Sequence, residues 1–155
     1  MGKIIARNSL KKKCRILSGE GKKIVFTNGC FDLLHPGHMQ ILKFARSKGD
    51  ILIVGLNSDS SIHKIKGINR PILDQKARAA NLSAVCYVDF VTIFDEPTPL
   101  ELISFIRPQI LVKGGDWDSD QIIGRDLVQK VFRVPLVKGY STTAIIKKIL
   151  NTCAK

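Results

Sequence analysis

The segment "KIVFTNGCFDLLHPGH", residues 23–38, decides the fold prediction. It begins with a short apolar, β-branched run, which is typical of a buried strand. It ends in Pro36-Gly37, and proline is favoured at the first position of a helix. We therefore predict a strand through Gly29 and a helix that begins at Pro36 and ends at Gly49.

The same alternation of strand and helix continues to the end of the chain. Four further apolar runs predict strands: "DILIVGLNSD" (50–59), "YVDFVTIF" (87–94), "QILVKGG" (109–115) and "VFRVPLV" (131–137). Helices are predicted over 3–21 with Ser9 as a possible cap, 74–85, about 99–107, 120–130 and 141–150, and a polar loop over 60–72. This order predicts one Rossmann-like domain over 1–155, a doubly wound, five-stranded parallel sheet with a basic helical extension at 1–22.

Composition narrows the class of protein. The chain has 155 residues, 45% of them apolar and 25% charged, and no run long enough to span a membrane. Its four cysteines form no C-x-x-C pair, so we expect reduced thiols and a soluble, cytoplasmic protein without a leader.

The net charge of +12 favours anionic partners such as nucleotides, sugar phosphates or nucleic acid. A basic helix over 11–15 that is merely solvated would give the same charge. No basic–aromatic alternation of the single-strand binders is present, so a nucleic-acid partner is not expected.

His35 and His38 flank Pro36-Gly37 at the predicted start of a helix. A helix N-terminus offers unpaired N–H groups and partial positive charge, which suit a phosphate. Gly37 lets a ligand approach the backbone. A zinc site would need further ligands, of which only Asp32 is near in sequence, so the pair indicates phosphate binding.

Three other predicted strands end in polar sequences, "GLNSD", "VKGGDW" and "VKGYSTT", and in an open parallel sheet such ends meet at the ligand site. "GYSTT" places Ser141, Thr142 and Thr143 at a helix start after Gly139, as a plain cap or as a second phosphate cradle. "KIKGINRP" supplies Lys64 and Lys66 on a loop, with Arg78 in the next helix, for a polyphosphate or for solvent. "VKGGDW" places Lys113, Gly114, Asp116 and Trp117 where a sugar, metal or ring could bind.

Other nucleotide and hydrolase signatures are absent from the sequence. It has no G-x-G-x-x-G after the first strand, no G-x-x-x-x-G-K-[ST] and no G-x-S-x-G. These absences disfavour a nicotinamide dehydrogenase, a P-loop kinase and an α/β-hydrolase.

Taken together, the motifs resemble a known family. "NGCFDLLHPGH" and "GYSTT" are similar to the two signatures of the cytidylyltransferase-like nucleotidyltransferases. "NSD", "KGxxRP", "FDEPTP", "LVKGGDW" and "IIG" resemble the adenylyltransferases of bacterial ADP-heptose synthesis, from about Lys23 to Leu150. The resemblance implies AMP transfer from ATP to heptose 1-phosphate with Mg²⁺, in lipopolysaccharide precursor synthesis. In many bacteria a ribokinase-type kinase is fused to this domain, so a separate heptose kinase is implied here.

The resemblance also implies roles for individual residues. His35 and His38 would contact the α- and β-phosphates, residues 141–143 would hold the β/γ end, and Lys64, Lys66 and Arg78 would offset charge. The nucleotide would be lined by Asn28, Gly29, Cys30, Phe31, Gly37, Lys113, Gly114, Trp117 and Gly139. Asp32 and Asp116 would orient Mg²⁺ or the sugar.

Two points depart from the family or stay open. The stretch "GRDLVQKVFRVPLV" (124–137) is shorter than usual and lacks the family's Gly-Gly turn, which leaves the segment between Asp126 and Val134 in doubt. The alternative function is a cytidylyltransferase acting on glycerol 3-phosphate or another polyol phosphate, although such relatives usually read "RTxGIST" here. A homodimer and the sugar anomer are left open.

Overall fold

The computed structural model describes residues 1–115 and 121–153 and shows an α/β fold. The strands are β1 (Lys3–Ile4), β2 (Ile24–Gly29), β3 (Ile51–Asn57), β4 (Phe90–Phe94), β5 (Ile110–Gly114) and β6 (Lys130–Val134). The helices are α1 (Arg7–Gly19), α2 (Pro36–Arg46), α3 (Asp59–Lys66), α4 (Gln75–Ala84), α5 (Leu100–Ile106) and α6 (Thr142–Cys153).

The sheet is parallel and has six strands in the order β1-β4-β3-β2-β5-β6. All five predicted strands are present, but the prediction of a five-stranded sheet was wrong. The sixth strand is the two-residue β1, which pairs Lys3 with Phe90 and Ile4 with Val91 at the edge of the sheet. Both β1 residues are exposed, so no apolar periodicity announces this strand.

Two apolar layers enclose the sheet, as expected for a doubly wound fold. On one face, α2 and α4 bury Leu42 and Leu82 against the sheet. On the other face, α1 and α5 bury Leu10 and Ile103. The β2 strand contributes to both layers, with Val25 in the first and Phe26 in the second, because successive side chains of a strand point to opposite faces.

Several local predictions need correction. The first helix begins after Ala6 rather than at a Ser9 cap, because the residues ahead of it form β1. Much of the predicted loop 60–72 is helical: α3 is capped by Ser58, whose side chain accepts from the Ser61 N–H at 3.1 Å. Within residues 121–130, no α-helix forms, and the 3₁₀ turn Arg125–Leu127 precedes β6.

The topology places a switch point between β2 and β5. From β2 the chain builds β3 and β4 on one side, then returns to add β5 and β6 on the other. A crevice forms where the connections diverge, outside the carboxyl ends of the two central strands. The predicted polar strand ends, Asn28 on β2 and Lys113 on β5, both border it.

Two further expectations bear on the class of protein. The four cysteines are all free thiols, with Cys14 buried and Cys86 exposed. In the part of the chain that the structure describes, no helix combines the length and the apolar character that crossing a bilayer requires.

Candidate active site

A cavity of about 530 Å³ opens at the switch point. This volume is in the range of small-molecule sites. The predicted site residues that line it are Asn28, Gly29, Cys30, Phe31, His35, Gly37, His38, Lys66, Lys113, Gly114, Ser141, Thr142 and Thr143. The fold therefore brings residues from most parts of the chain to one place.

The two histidines form a stacked pair at the start of α2. Their ring centroids are 3.8 Å apart with an angle of 26° between the planes. His35 is the residue before the helix and has an extended backbone, with Pro36 following at the first helical position. A side chain on Gly37 would place its Cβ 3.0 Å from the His35 ring, so glycine leaves room for the pair.

The surroundings of both histidine rings favour the neutral form, which can donate one N–H hydrogen bond. Burial, followed by the proximity of His35, lowers the pKa of His38 to about 4; Lys66 lowers it further, and the Leu33 carbonyl opposes the shift. Burial also lowers the pKa of His35. The Nδ1 atoms of both rings are buried and have no hydrogen-bond partner among the described residues. Buried polar atoms without partners are uncommon, and at a cavity wall they suit a ligand.

A second helix N-terminus faces the same cavity. Ser141 caps α6, with its Oγ accepting from the Ala144 N–H at 3.1 Å. Thr142 and Thr143 follow in the first turn and line the cavity with Ser141. Residues 141–143 can therefore act both as a helix cap and as a phosphate-binding site, because one helix start supplies hydroxyls and unpaired N–H groups together.

Lys113 brings a partly desolvated cation to the cavity. Its Nζ donates to the Asn28 Oδ1 at 2.6 Å, joining the ends of β5 and β2. Burial lowers the pKa of Lys113 to about 8, with the nearby Cys30 acting in the opposite direction. Among the described residues, no carboxylate forms an ion pair with it. An anion bound in the cavity would supply the missing counter-charge.

Arg78 does not line the cavity, contrary to its predicted role. Its side chain is fully buried, and its guanidinium donates to the carbonyls of Leu73 (2.9 Å) and Cys30 (2.6 Å) and to the Asp59 carboxylate (2.7 Å). Those bonds hold the segment ahead of the histidines to the start of α4. The structure thus gives Arg78 a packing role in place of direct contact with phosphate.

Asp32 is likewise committed to the protein. It is 2% exposed, and its carboxylate accepts from the backbone N–H groups of Ile72 and Leu73, each at 2.9 Å. Arg70 adds an ion pair at 2.9 Å. With both oxygens bonded and the charge paired, this carboxylate does not fit a magnesium ligand.

Four other predicted residues lie outside the cavity or outside the described part of the chain. Lys64 and Gly139 do not line it. Asp116 and Trp117 lie outside the described residues. Lys66 does line it, at the end of α3 rather than on a loop.

Sequence reasoning missed part of the wall. The added lining residues are Thr27, Ile41, Asn57, Ile65, Pro97, Thr98, Pro99, Ile123, Pro135, Leu136, Val137 and Tyr140. Asn57 could have been named, because it ends β3 within "GLNSD", one of the polar strand ends. Pro97, Thr98, Pro99 and Ile123 lie in the motifs "FDEPTP" and "IIG", which supported the resemblance but gave these residues no role. Other apolar members, such as Ile41 on α2, belong to no motif.

Magnesium was predicted alongside the nucleotide. Within residues 1–115 and 121–153, no group of three His, Cys, Asp or Glu residues is arranged to hold a metal ion. The described cavity wall contains no carboxylate. These residues therefore do not form a resident metal site.

Comparison with known proteins supports the same class. The sequence profile of the family described as Cytidylyltransferase-like matches residues 26–148. The chain is 50% identical over 147 residues to the Bifunctional protein HldE of Wolinella succinogenes, covering 95% of this chain and 31% of that protein. It is 54% identical over 142 residues to the Bifunctional protein HldE of Campylobacter curvus, covering 91% and 30%. It spans about a third of the length of these curated relatives.

A solved structure shows the same architecture. The crystal structure of the lipopolysaccharide core biosynthesis protein from Thermoplasma volcanium GSS1 aligns with a TM-score of 0.65 at 27% identity, covering 76% of this chain and all of that one. The parallel sheet and the histidine-bearing cavity define a Rossmann-like protein of the nucleotidyltransferase class. Because the profile match covers most of its length, the chain belongs to the cytidylyltransferase-like family.

Proposed function

We propose that this chain is an adenylyltransferase that transfers AMP from ATP to heptose 1-phosphate, giving ADP-heptose and pyrophosphate. One observation carries the proposal: the histidine pair at the start of α2 and the hydroxyls at the start of α6 face a single cavity. Two helix N-termini aimed at one space suit a polyphosphate better than a neutral ligand. The heptose substrate and the lipopolysaccharide precursor pathway rest on the resemblance and on similarity to the HldE proteins.

The reaction needs no protein nucleophile. An oxygen of the sugar phosphate attacks the α-phosphorus of ATP, and the bond to the bridging oxygen of pyrophosphate breaks. Catalysis then depends on positioning the two substrates and on stabilising the growing negative charge. In this proposal His35 and His38 donate to the α- and β-phosphates, and residues 141–143 hold the β/γ end. Lys66 and Lys113 supply positive charge.

Magnesium belongs to the proposal only as a companion of the nucleotide. The described wall offers cations and neutral donors, so a divalent ion would be held by phosphate oxygens rather than by Asp32. Such an ion would neutralise phosphate charge.

The partners follow from the size of the relatives. The chain spans about a third of proteins whose name describes them as bifunctional. A second activity, which the resemblance gives as a heptose kinase, would then reside in a separate polypeptide or segment. We place the reaction in the cytoplasm, where ATP is available.

The charge of Lys113 should set an upper pH limit on substrate affinity. Because its pKa is lowered to about 8, the ammonium that pairs with an anion is lost as the pH rises through that value. We expect the KM for ATP or for the sugar phosphate to rise between pH 7 and pH 9. Steady-state kinetics of the Lys113→Arg variant provide the control, since arginine stays charged over this range. An equal rise of KM in wild type and Lys113→Arg would show that another group titrates.

The function itself is tested by pyrophosphate release. Purified protein is supplied with Mg²⁺ and either ATP or CTP, with heptose 1-phosphate present or omitted. Release with ATP that requires the heptose phosphate is the expected result. Release only with CTP, or only with a polyol phosphate such as glycerol 3-phosphate, would keep the fold and overturn the substrate. Salt-sensitive DNA binding without any turnover would overturn the enzyme assignment.

A further inference from the structure

Phe31 adopts a backbone conformation that residues other than glycine rarely take. Its φ is +42°, in the left-handed region, which costs about 1–2 kcal/mol for a residue with a Cβ. Phe31 is 5% exposed, and its ring lies 5.1 Å from the His38 ring, centroid to centroid. Such strain persists only where the surrounding structure over-determines it, and it concentrates at functional sites.

The neighbours of Phe31 on both sides are held by one segment, residues 70–78. The Cys30 carbonyl accepts from Arg78 Nη1 at 2.6 Å. The Asp32 carboxylate accepts from Arg70 Nε at 3.0 Å and from two backbone N–H groups of the segment. Arg78 also donates to the Leu73 carbonyl, which links the contact at Cys30 to the contacts at Asp32. We refer to residues 70–78 as the brace.

The side chains that hold Cys30 and Asp32 lie largely buried, where hydrogen bonds and ion pairs are costly to break. Arg78 is fully buried, Asp32 is 2% exposed, and the Arg70 side chain is 16% exposed. Removing one partner from such a buried pair leaves the other uncompensated, which is costly. The brace can therefore sustain the strained turn at Phe31.

We propose that the brace positions His38 for the reaction: Arg70 and Arg78 hold Cys30 and Asp32 so that the Phe31 ring packs against His38. Arg70 is then a positioning residue, which acts on the substrate through Asp32, Phe31 and His38. The part of this proposal that concerns turnover rests on the proposed function. The part that concerns the His38 ring does not.

The orientation of His38 can be read without any substrate. Its ring is packed between Phe31 and His35, and the charge of Lys66 on α3 also lowers its pKa. Burial is the largest cause of its lowered pKa, of about 4. If the brace fails, Phe31 leaves the ring, water reaches it, and its pKa moves up towards the ordinary value of about 6.5.

The experiment compares Arg70→Gln with Arg15→Gln in the full chain. Arg15 is exposed on α1 outside the cavity, and its variant loses the same single charge. Proton NMR titration of the three histidines, with His38→Ala for assignment, should show a higher His38 pKa in Arg70→Gln and an unchanged one in Arg15→Gln. We also expect kcat to fall by up to about 10²-fold in Arg70→Gln.

A double-mutant cycle separates positioning from direct contact. Adding Arg70→Gln to His38→Ala should cost little further activity, because the residue acts through the missing ring. An unchanged His38 pKa in Arg70→Gln, or equal losses in both backgrounds, would overturn the proposal. If Arg70→Gln does not fold, Asp32→Asn takes its place with the same readouts. The titration decides the issue even if heptose 1-phosphate is not the substrate.

Discussion

Replacing His38 with alanine should lower kcat about 100- to 1,000-fold and leave the fold intact. The ring lines the cavity at the start of α2, and its Nδ1 lacks a hydrogen-bond partner among the described residues. An N–H that reaches the phosphates as they gain charge contributes more to the transition state than to substrate binding. The loss should therefore appear in kcat rather than in KM for ATP, measured as pyrophosphate release.

His63 provides the matched control for this prediction. It is exposed on α3 and does not line the cavity, so His63→Ala should keep the wild-type rate. Circular dichroism and thermal melting of both variants check the fold. A wild-type rate in His38→Ala would remove the histidine pair from the mechanism.

Replacing Arg78 with methionine should lower the free energy of unfolding by about 3 kcal/mol. The change removes the donors of two backbone carbonyls, on Cys30 and Leu73, and the partner of Asp59. Asp59 is about one-third exposed, so water offsets part of its loss. Urea denaturation of wild type and variant measures the difference.

The control for Arg78 is an arginine at the surface. Arg15 is exposed on α1, and Arg15→Met should change stability by no more than about 0.5 kcal/mol. If Arg78→Met unfolds at a lower urea concentration than wild type, the packing role is supported. An Arg78→Met variant as stable as wild type would contradict the packing role.

Lys66 and Arg78 show what the sequence leaves undetermined for two basic residues. Both are cations between β3 and β4, and both were predicted to offset phosphate charge. The structure places Lys66 at the cavity and buries Arg78 fully against the segment that precedes His35. Residue type is the same in the two cases, so only the packing of α3 and α4 distinguishes them.

Asp32 illustrates the same limit for a carboxylate. The family resemblance implied that Asp32 orients Mg²⁺ or the sugar. In the fold its partners come from residues about 40 positions later, Arg70 and Ile72. No local pattern reports contacts over that separation.

The sequence by itself determined the parallel α/β class, five of the six strands, and the polar strand ends that meet at the cavity. These features are indicated by apolar periodicity, by Pro-Gly and Ser-Thr helix starts and by short motifs. Each of these signals depends on a few neighbouring residues. The tertiary structure alone decided the edge strand β1, the helical state of α3 and the commitment of Asp32 and Arg78 to the brace. Those outcomes depend on burial and on partners distant in the chain, because the free energy of a buried charge is set by what surrounds it.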